Sequence, residues 1–371
     1  MPAVSLRSVT KLYPTTRAGV RSVSLDVASG EHLVIVGPSG AGKTTVLRLI
    51  AGLETPDAGS VLFDGRDVTR DPPHTRHVAL VAQRPALFPH RSVRRNFSAS
   101  VEFRESRWWP FRTKHPDLDA RVEEAARILG ITHLLDRPPY DLSGGEQQRV
   151  ALGRAWVDRA GVWLLDEPLA HLESTLKSQI RGQLHLLRGR AGATIIEVTH
   201  DPAEALALGP RVAVLADGAV VQVGPPQAVY DQPRSRAAAL ALGEPAMNVA
   251  DGVVTVSAGR PVVQTADGWT VSLPERLAGS IAGRTVTFGV RPEHILAGAG
   301  GAGDGTCPLG AWTVARGDPR GLVCLLALVR PGLAWRAWWP RPEPPAEGAL
   351  DLAVRQEHVH LFDATTGERI K

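Results

Sequence analysis

Apolar and polar residues alternate through 4–36, with turn signals at Pro14 and Gly19. This period of two predicts a small β-region that leads into the unbroken apolar run Leu33–Val36. Strand-rich stretches follow at 60–65 and 78–83, and the chain leaves the sheet at Arg84–Pro85. Residues 88–155 read as mainly helical. Within Asp119–Leu129, the apolar positions Val122, Ala125, Ala126 and Leu129 lie on one helical face, and Gly130 supplies a stop. Val162–Leu165 is an apolar run and Thr194–Thr199 another strand of the buried type, separated by a helix with a stripe at Leu176, Ile180, Leu184 and Leu187. Pro225–Pro226, Gln232–Pro233 and Gly243–Pro245 then punctuate the chain. Beyond 249 the pattern changes to short strand-like runs at 251–256, 261–265, 269–273, 285–290, 322–329, 333–339 and 350–354. Gly- and Pro-rich turns separate them, which predicts a small β-barrel. Two domains are therefore expected, 1–235 of α/β type and 243–371 of all-β type, with a helical subdomain at about 88–155 in the first.

A length of 371 residues suits two domains better than one. Apolar residues at 43% provide for a sizeable core. The charge balance, 42 − 38 = +4, is too small to argue for nucleic acid and fits a nucleotide or a membrane-side docking surface equally well. Cys307 and Cys324 are the only cysteines, so neither a disulfide framework nor a zinc site is indicated, in keeping with a reducing compartment. The residues from Met1 to Arg7 do not read as a secretory signal. The longest apolar run, Leu322–Val329, is far shorter than the ~20 residues of a spanning helix. Work at a membrane would need another chain to supply the span.

The chemistry concentrates in four places. Gly37, Pro38, Ser39, Gly40, Ala41, Gly42, Lys43, Thr44 and Thr45 form the pattern G-x-x-x-x-G-K-[ST] between a strand and a helix. The glycines permit a tight turn whose N–H groups face a polyphosphate, and the helix N-terminus adds positive potential. Lys43 is in reach of the β- and γ-phosphates, and the Thr44 hydroxyl suits Mg²⁺. Gln83, at a strand end, is either a turn partner or a ligand to Mg²⁺ that senses the γ-phosphate. Ser143, Gly144, Gly145 and Glu146 open a helix with a serine cap and no bulky side chains, a second phosphate-binding surface. Two such surfaces on one chain suggest that they face each other across a dimer. Asp166 ends an apolar strand and is placed to hold Mg²⁺. Glu167, pointing the other way by strand alternation, could accept a proton from an attacking water. His200 ends another strand of the parallel type, where open α/β sheets collect their active residues. Tyr13 is either half-buried packing or a platform for an adenine ring. Basic and aromatic residues interleave from Arg107 to Lys114, and partner contact or local packing explains them better than single-stranded nucleic acid.

The phosphate loop, Gln83, the signature L-S-G-G-E-Q-Q-R at 142–149, the strand and carboxylates at 162–168, and His200 occur in an order and spacing that resembles the ATP-binding subunits of ATP-binding cassette (ABC) importers. The resemblance runs through residues 1–235 and implies a P-loop, RecA-like cassette. It implies that Tyr13 stacks on adenine, Ser39–Thr45 hold the phosphates, and Gln83 and Asp166 serve Mg²⁺ and water. Glu167 would be the general base, His200 would contact the γ-phosphate, and Ser143 and Gly145 would complete the opposite subunit's site. Two ATP molecules would lie in a head-to-tail homodimer at the cytoplasmic face of the cell membrane. The dimer would drive two transmembrane permease subunits, which the helical region 88–155 would receive, and indirectly serve an extracytoplasmic solute-binding protein. One departure is Ala170-His171-Leu172-Glu173, where the family usually ends this loop in aspartate; the extra methylene would weaken communication between the two sites. Glu146 in place of a commoner glutamine is a mild change.

Three further stretches, 243–248, 289–295 and 360–369, are similar to the subset that energises uptake of maltose and glycerol-3-phosphate, whose C-terminal domain is an oligonucleotide-binding-like barrel. Roughly 297–345 matches that subset poorly, Ala299–Gly305 reads as a flexible surface loop, and Trp335, Trp338 and Trp339 read as core or rim packing. The expected function is ATP hydrolysis coupled to import of a sugar or related solute. The same engine serving polyamine, iron or sulfate remains an alternative. A soluble ABC ATPase acting on ribosomes or DNA is disfavoured by the single cassette and the lack of a long coiled-coil insertion.

Overall fold

The computed structural model describes the chain except residues 15–17, 107–116, 171–176, 178, 183–191, 258–259, 274–280, 298–304, 346–347 and 371. The Arg107–Lys114 stretch, the loop residues His171–Glu173, the stripe positions Leu176, Leu184 and Leu187, and nearly all of 299–305 lie outside the described residues. Two compact parts are present, Met1–Pro226 and Gln227–Lys371.

In the first part, β1 (Val4–Leu12), β2 (Gly19–Val27), β3 (His32–Val36), β4 (Ala58–Phe63), β5 (Arg66–Asp67), β6 (Val78–Val81), β7 (Val162–Asp166), β8 (Thr194–Thr199), β9 (Arg211–Ala216) and β10 (Ala219–Gly224) form two sheets. The smaller is antiparallel, in the order β2-β1-β4-β5. The larger runs β10-β9-β3-β8-β7-β6, parallel throughout except for β10. Every residue of β3 and β8 is buried, as expected of parallel strands covered on both faces. The helices include α1 (Lys43–Ala51), α2 (Val93–Ser106), α3 (Leu118–Ile128) and α4 (Gly144–Asp158). The contact of α2 with α4 is tight because Gly153 has no side chain: a Cβ there would lie 2.3 Å from the ring of the fully buried Phe97. The register of the parallel strands brings the carboxyl ends of β3, β8, β7 and β6 to one edge, with Val36 opposite Thr199, Asp166 opposite Val198 and Val81 opposite Leu165.

The second part holds β11 (Asn248–Ser257), β12 (Arg260–Thr265), β13 (Thr270–Ser272), β14 (Thr285–Val290), β15 (Ile295–Ala297), β16 (Thr306–Arg320), β17 (Val323–Arg330), β18 (Leu333–Trp339), β19 (Ala349–Arg355), β20 (His360–Asp363) and β21 (Arg369–Ile370). They make two antiparallel sheets, β13-β12-β11-β14-β20-β21 and β15-β19-β16-β17-β18. Both sheets feed one apolar core. At its centre Trp269 meets Phe288, Trp312 and Trp335 edge-on, with ring centroids 6.0, 5.8 and 5.3 Å away. The three indole N–H groups donate to backbone carbonyls of Leu309 and Val249, so these rings are buried without an unmet donor. Trp335 lies in this core, Trp339 packs half-buried against it and Trp338 is half-buried, in keeping with the core or rim packing the sequence suggested. Cys307 and Cys324 are free and buried, and burial pushes the Cys307 thiol up to about 11, which keeps it unreactive.

The long strand β16 is not foreshadowed by the sequence pattern. Pro308, Gly310, Gly317 and Pro319 look like turn signals, yet the strand is paired along its whole length, through Thr306–Thr313 with β19 and through Thr313–Arg320 with β17. It accommodates them through irregularities between Pro308 and Gly310 and between Val314 and Arg316. Gly310, at φ 74°, takes a backbone conformation open to glycine at the first of these.

Candidate active site

The loop between β3 and α1 is held by three contacts. The absent side chain of Gly37 lets the chain pass the Leu215 carbonyl of β9, which would lie 2.0 Å from an added Cβ. Gly42, at φ 99°, starts α1 in the left-handed region, and no acidic residue occupies the helix's first turn to neutralise its positive end. The buried ammonium of Lys43 donates to the carbonyls of Gly37 (2.8 Å) and Pro38 (2.9 Å) and so folds the loop over itself. Burial lowers its pKa, opposed by the charges of Glu167 and Asp166. A triphosphate can take over this ammonium by replacing the two carbonyls with phosphate oxygens.

The other groups converge from neighbouring strand ends. The Thr44 hydroxyl donates to Asp166 Oδ1 at 3.1 Å. Burial raises the pKa of Asp166, and the Thr44 hydrogen bond works against it. A hydroxyl and a carboxylate at this separation are a donor set that fits a hard cation such as Mg²⁺. Glu167 is not in the strand at all. Its φ of 48° turns the chain out of β7, so strand alternation does not govern its direction. Its carboxylate lies between two partners: Gln83 Nε2 donates to Oε2 at 2.9 Å, and His200 Nδ1 lies 2.9 Å from Oε1. Gln83 sits two residues beyond β6 rather than at its last position.

His200 is braced by residues that the sequence reading did not single out. The Thr199 hydroxyl donates to the buried Glu204 at 2.7 Å and accepts from the Asp201 N–H at 3.0 Å. Asp201 in turn caps the short helix Pro202–Leu208, and Lys177 lies 3.5 Å from Glu204 and 3.7 Å from Asp201. The signal available in the sequence was Asp201-Pro202-Ala203-Glu204, an N-cap followed by proline at N1 and an acidic first turn.

The structure therefore brings together Lys43, Thr44, Gln83, Asp166, Glu167 and His200. Tyr13 is half-buried just beyond β1, and its backbone N–H donates to Ala18. Ser143 and Glu146 bond to one another: Ser143 N–H and Oγ–H both donate to Glu146 Oε2 at 2.8 Å, and the Glu146 N–H returns to Ser143 Oγ at 3.4 Å. This capping box opens α4 with Gly144 and Gly145 in its first turn. The Ser143 bonds, first from the side chain and then from the backbone, hold the Glu146 carboxyl below its ordinary 4.5. Because the folded value is depressed, the stabilisation is present above 4.5 and is lost as pH falls through the folded value. Ser143→Ala is expected to cost about 1 kcal/mol at neutral pH and to flatten the acid limb of a melting-temperature profile below pH 4.5. An unchanged acid limb would show that the box contributes nothing.

Fold and site together define an ATP-hydrolysing cassette: a phosphate loop, a paired hydroxyl and carboxylate, and a glutamate held between a glutamine and a histidine along one edge of a parallel sheet. Comparison with known proteins agrees. The model of the ABC transporter family matches residues 20–170, and that of the MalK OB fold domain matches 243–295. The sn-glycerol-3-phosphate import ATP-binding protein of Salmonella typhimurium is 38% identical over the full length of both chains. The sulfoquinovosyl glycerol transport ATP-binding protein of Agrobacterium fabrum is 40% identical, again over both full lengths. The xylose/arabinose import ATP-binding protein of Haloferax volcanii is 38% identical over all of this chain and 96% of its own. Among solved structures, a dimeric ATP-binding cassette in a post-hydrolysis state with ADP and Pi has a TM-score of 0.53 at 30% identity, covering 60% of this chain and 98% of that one. The chain belongs to the ABC transporter family, as an ATP-binding, ATP-hydrolysing subunit of the carbohydrate-importer type. No helix among the described residues is long and apolar enough to cross a membrane.

Proposed function

We propose that two copies of this chain bind two ATP molecules head to tail and use their hydrolysis to import a sugar, a glycerol-3-phosphate-like compound or a related solute. The carrying observation is the bracketing of Glu167 by Gln83 and His200 beside the Thr44–Asp166 pair. Lys43 and the loop 37–45 would hold the phosphates, and Tyr13 would pack on the adenine. Thr44, Asp166 and Gln83 would hold Mg²⁺, which would neutralise phosphate charge. Glu167 would take a proton from the attacking water, with His200 toward the γ-phosphate. Ser143, Gly144, Gly145 and Glu146 of each copy would close the site of the other.

The names of the relatives, all import or transport ATP-binding proteins, support the coupling to two transmembrane subunits and a solute-binding protein, with this chain at the cytoplasmic face of the membrane. Domain boundaries near 235 and 243 would then separate the engine from a barrel that helps pair the two copies. Affinity capture from native membranes with tagged Glu167→Gln chain, ATP and Mg²⁺ tests this. Recovery of two multi-span proteins, with a solute-binding protein, is the expected result and names the cargo class. Recovery of ribosomal or DNA-bound proteins with no membrane chain would overturn it.

A further inference from the structure

The three carbohydrate-type stretches at 243–248, 289–295 and 360–369 meet in the second part of the chain. Asn248 pairs with Val290, and Gly289 pairs with His360, across adjoining strands. The buried Arg291, just past β14, donates to the carbonyls of Ala239 (3.1 Å), Tyr230 (2.8 Å) and Leu242. Beside this junction opens a cavity of about 1270 Å³ lined by Arg234, Arg291, His294, His358, His360 and Arg369.

Three buried nitrogen atoms of this lining are left without a hydrogen-bond partner by the fold. His360 is only 4% exposed, yet its Nδ1 has no hydrogen-bond partner, and neither has His294 Nδ1 or Arg291 Nε. The rings of His294 and His358 stack with centroids 3.6 Å apart, and burial, aided by His358, lowers the pKa of His294. Burial pushes His360 down to about 3, and the guanidinium charges of Arg369 and Arg291 act in the same direction. Carboxylates also line the cavity, at Asp231, Glu357 and Glu368, but all three are exposed to solvent, whereas Arg291 and His360 are buried. Glu293 is engaged by the Tyr230 hydroxyl.

Buried nitrogen groups in a positive field, with unmet hydrogen-bonding capacity, suit an anion. A metal ion is a poorer occupant, since no group of three His, Cys, Asp or Glu among the described residues has ligating geometry and the arginines would repel it. Nitrogen groups supplied from three places, β14's end, β20 and β21, can serve the several oxygens of a tetrahedral oxyanion, which arginine binds through charge-assisted hydrogen bonds. We propose that this cavity is a phosphate site, taking a small phosphate monoester or inorganic phosphate against His360, Arg291 and Arg369. The size of the cavity leaves room for an organic remainder beside the phosphate.

Calorimetric titration of the full chain tests the assignment, with a non-hydrolysable ATP analogue and Mg²⁺ filling the phosphate loop so that it cannot capture the added anion. Inorganic phosphate and sn-glycerol-3-phosphate are titrated separately. One site per chain is expected, weakened about tenfold or more in Arg369→Gln and in His360→Gln. Arg369 is half-buried at the end of the chain, so its variant keeps the test decisive if His360→Gln does not fold. Equal binding of both probes assigns free phosphate as the ligand, and preference for the ester assigns an organic phosphate. No binding of either up to about 10 mM, or binding that both variants leave unchanged, overturns the site. The readout involves neither transport nor hydrolysis, so a negative result leaves the transport reading intact.

Discussion

Glu167→Gln is expected to lower ATP turnover by about 10³-fold while leaving ATP affinity within about threefold. Gln83 and His200 both address the Glu167 carboxylate, at 2.9 Å each. A glutamine of the same shape can still accept from Gln83 through its one carbonyl oxygen and turn its N–H₂ toward His200 Nδ1, but it cannot accept a proton. The change is therefore confined to the step that needs a base, and a general base contributes roughly 10²–10⁴ in rate. Steady-state phosphate release beside equilibrium nucleotide binding separates the two effects. Turnover above about a tenth of the native rate would remove Glu167 from the role of base. An equal loss of affinity would assign it to binding instead.

The second large effect is structural. Gly37→Ala should destabilise the first part of the chain by about 3 kcal/mol and abolish nucleotide binding. The added Cβ would stand 2.0 Å from the Leu215 carbonyl oxygen, a backbone atom of a strand paired directly with β3. A side chain could rotate away, but a sheet carbonyl cannot move without breaking its ladder. Either β3 and β9 separate or the loop shifts, and both displace the carbonyls that hold Lys43. Gly40→Ala is the control: its Cβ would meet nothing within 4 Å, so only its left-handed φ of 81° opposes the change, at about 1 kcal/mol. Chemical denaturation and titration with a fluorescent ATP analogue check both variants. Equal stability of Gly37→Ala and the native chain would show that the strand ends are free to yield.

Much of this architecture was legible from residue order. The apolar runs at Leu33–Val36 and Val162–Leu165 reappear as buried residues of parallel strands, because strands covered on both faces lack polar alternation. Thr194–Val198 is buried too, its one carboxylate, Glu197, lying 3.0 Å from His32 Nε2. Val122, Ala125 and Ala126 form the buried face of α3, as their helical spacing requires. Strand β16 was not legible, because Pro308, Gly310, Gly317 and Pro319 are turn formers in isolation and become strand residues only when a distant partner, β19 for the first two and β17 for the last two, supplies the ladder. The direction of Glu167 was misread for a related reason. Alternation holds inside a strand, and the strand ends one residue earlier.

Local chemistry in the sequence alone determined which residues are candidates for function: a glycine-rich turn before a helix, carboxylates and a histidine at strand ends, and a serine cap with its glutamate. These follow from backbone freedom, strand burial and helix-end hydrogen bonding, all readable over a few residues. The tertiary structure decided which of them meet. Parallel crossovers bring chain positions 43, 83, 166, 167 and 200 to one sheet edge, where Lys43 is buried close to carboxylates and Glu167 is clamped from two sides. Antiparallel pairing likewise gathered three distant stretches of the second part around Arg291 and left His360 buried with an unmet nitrogen. Burial and convergence depend on contacts far apart in sequence, and no local pattern encodes them.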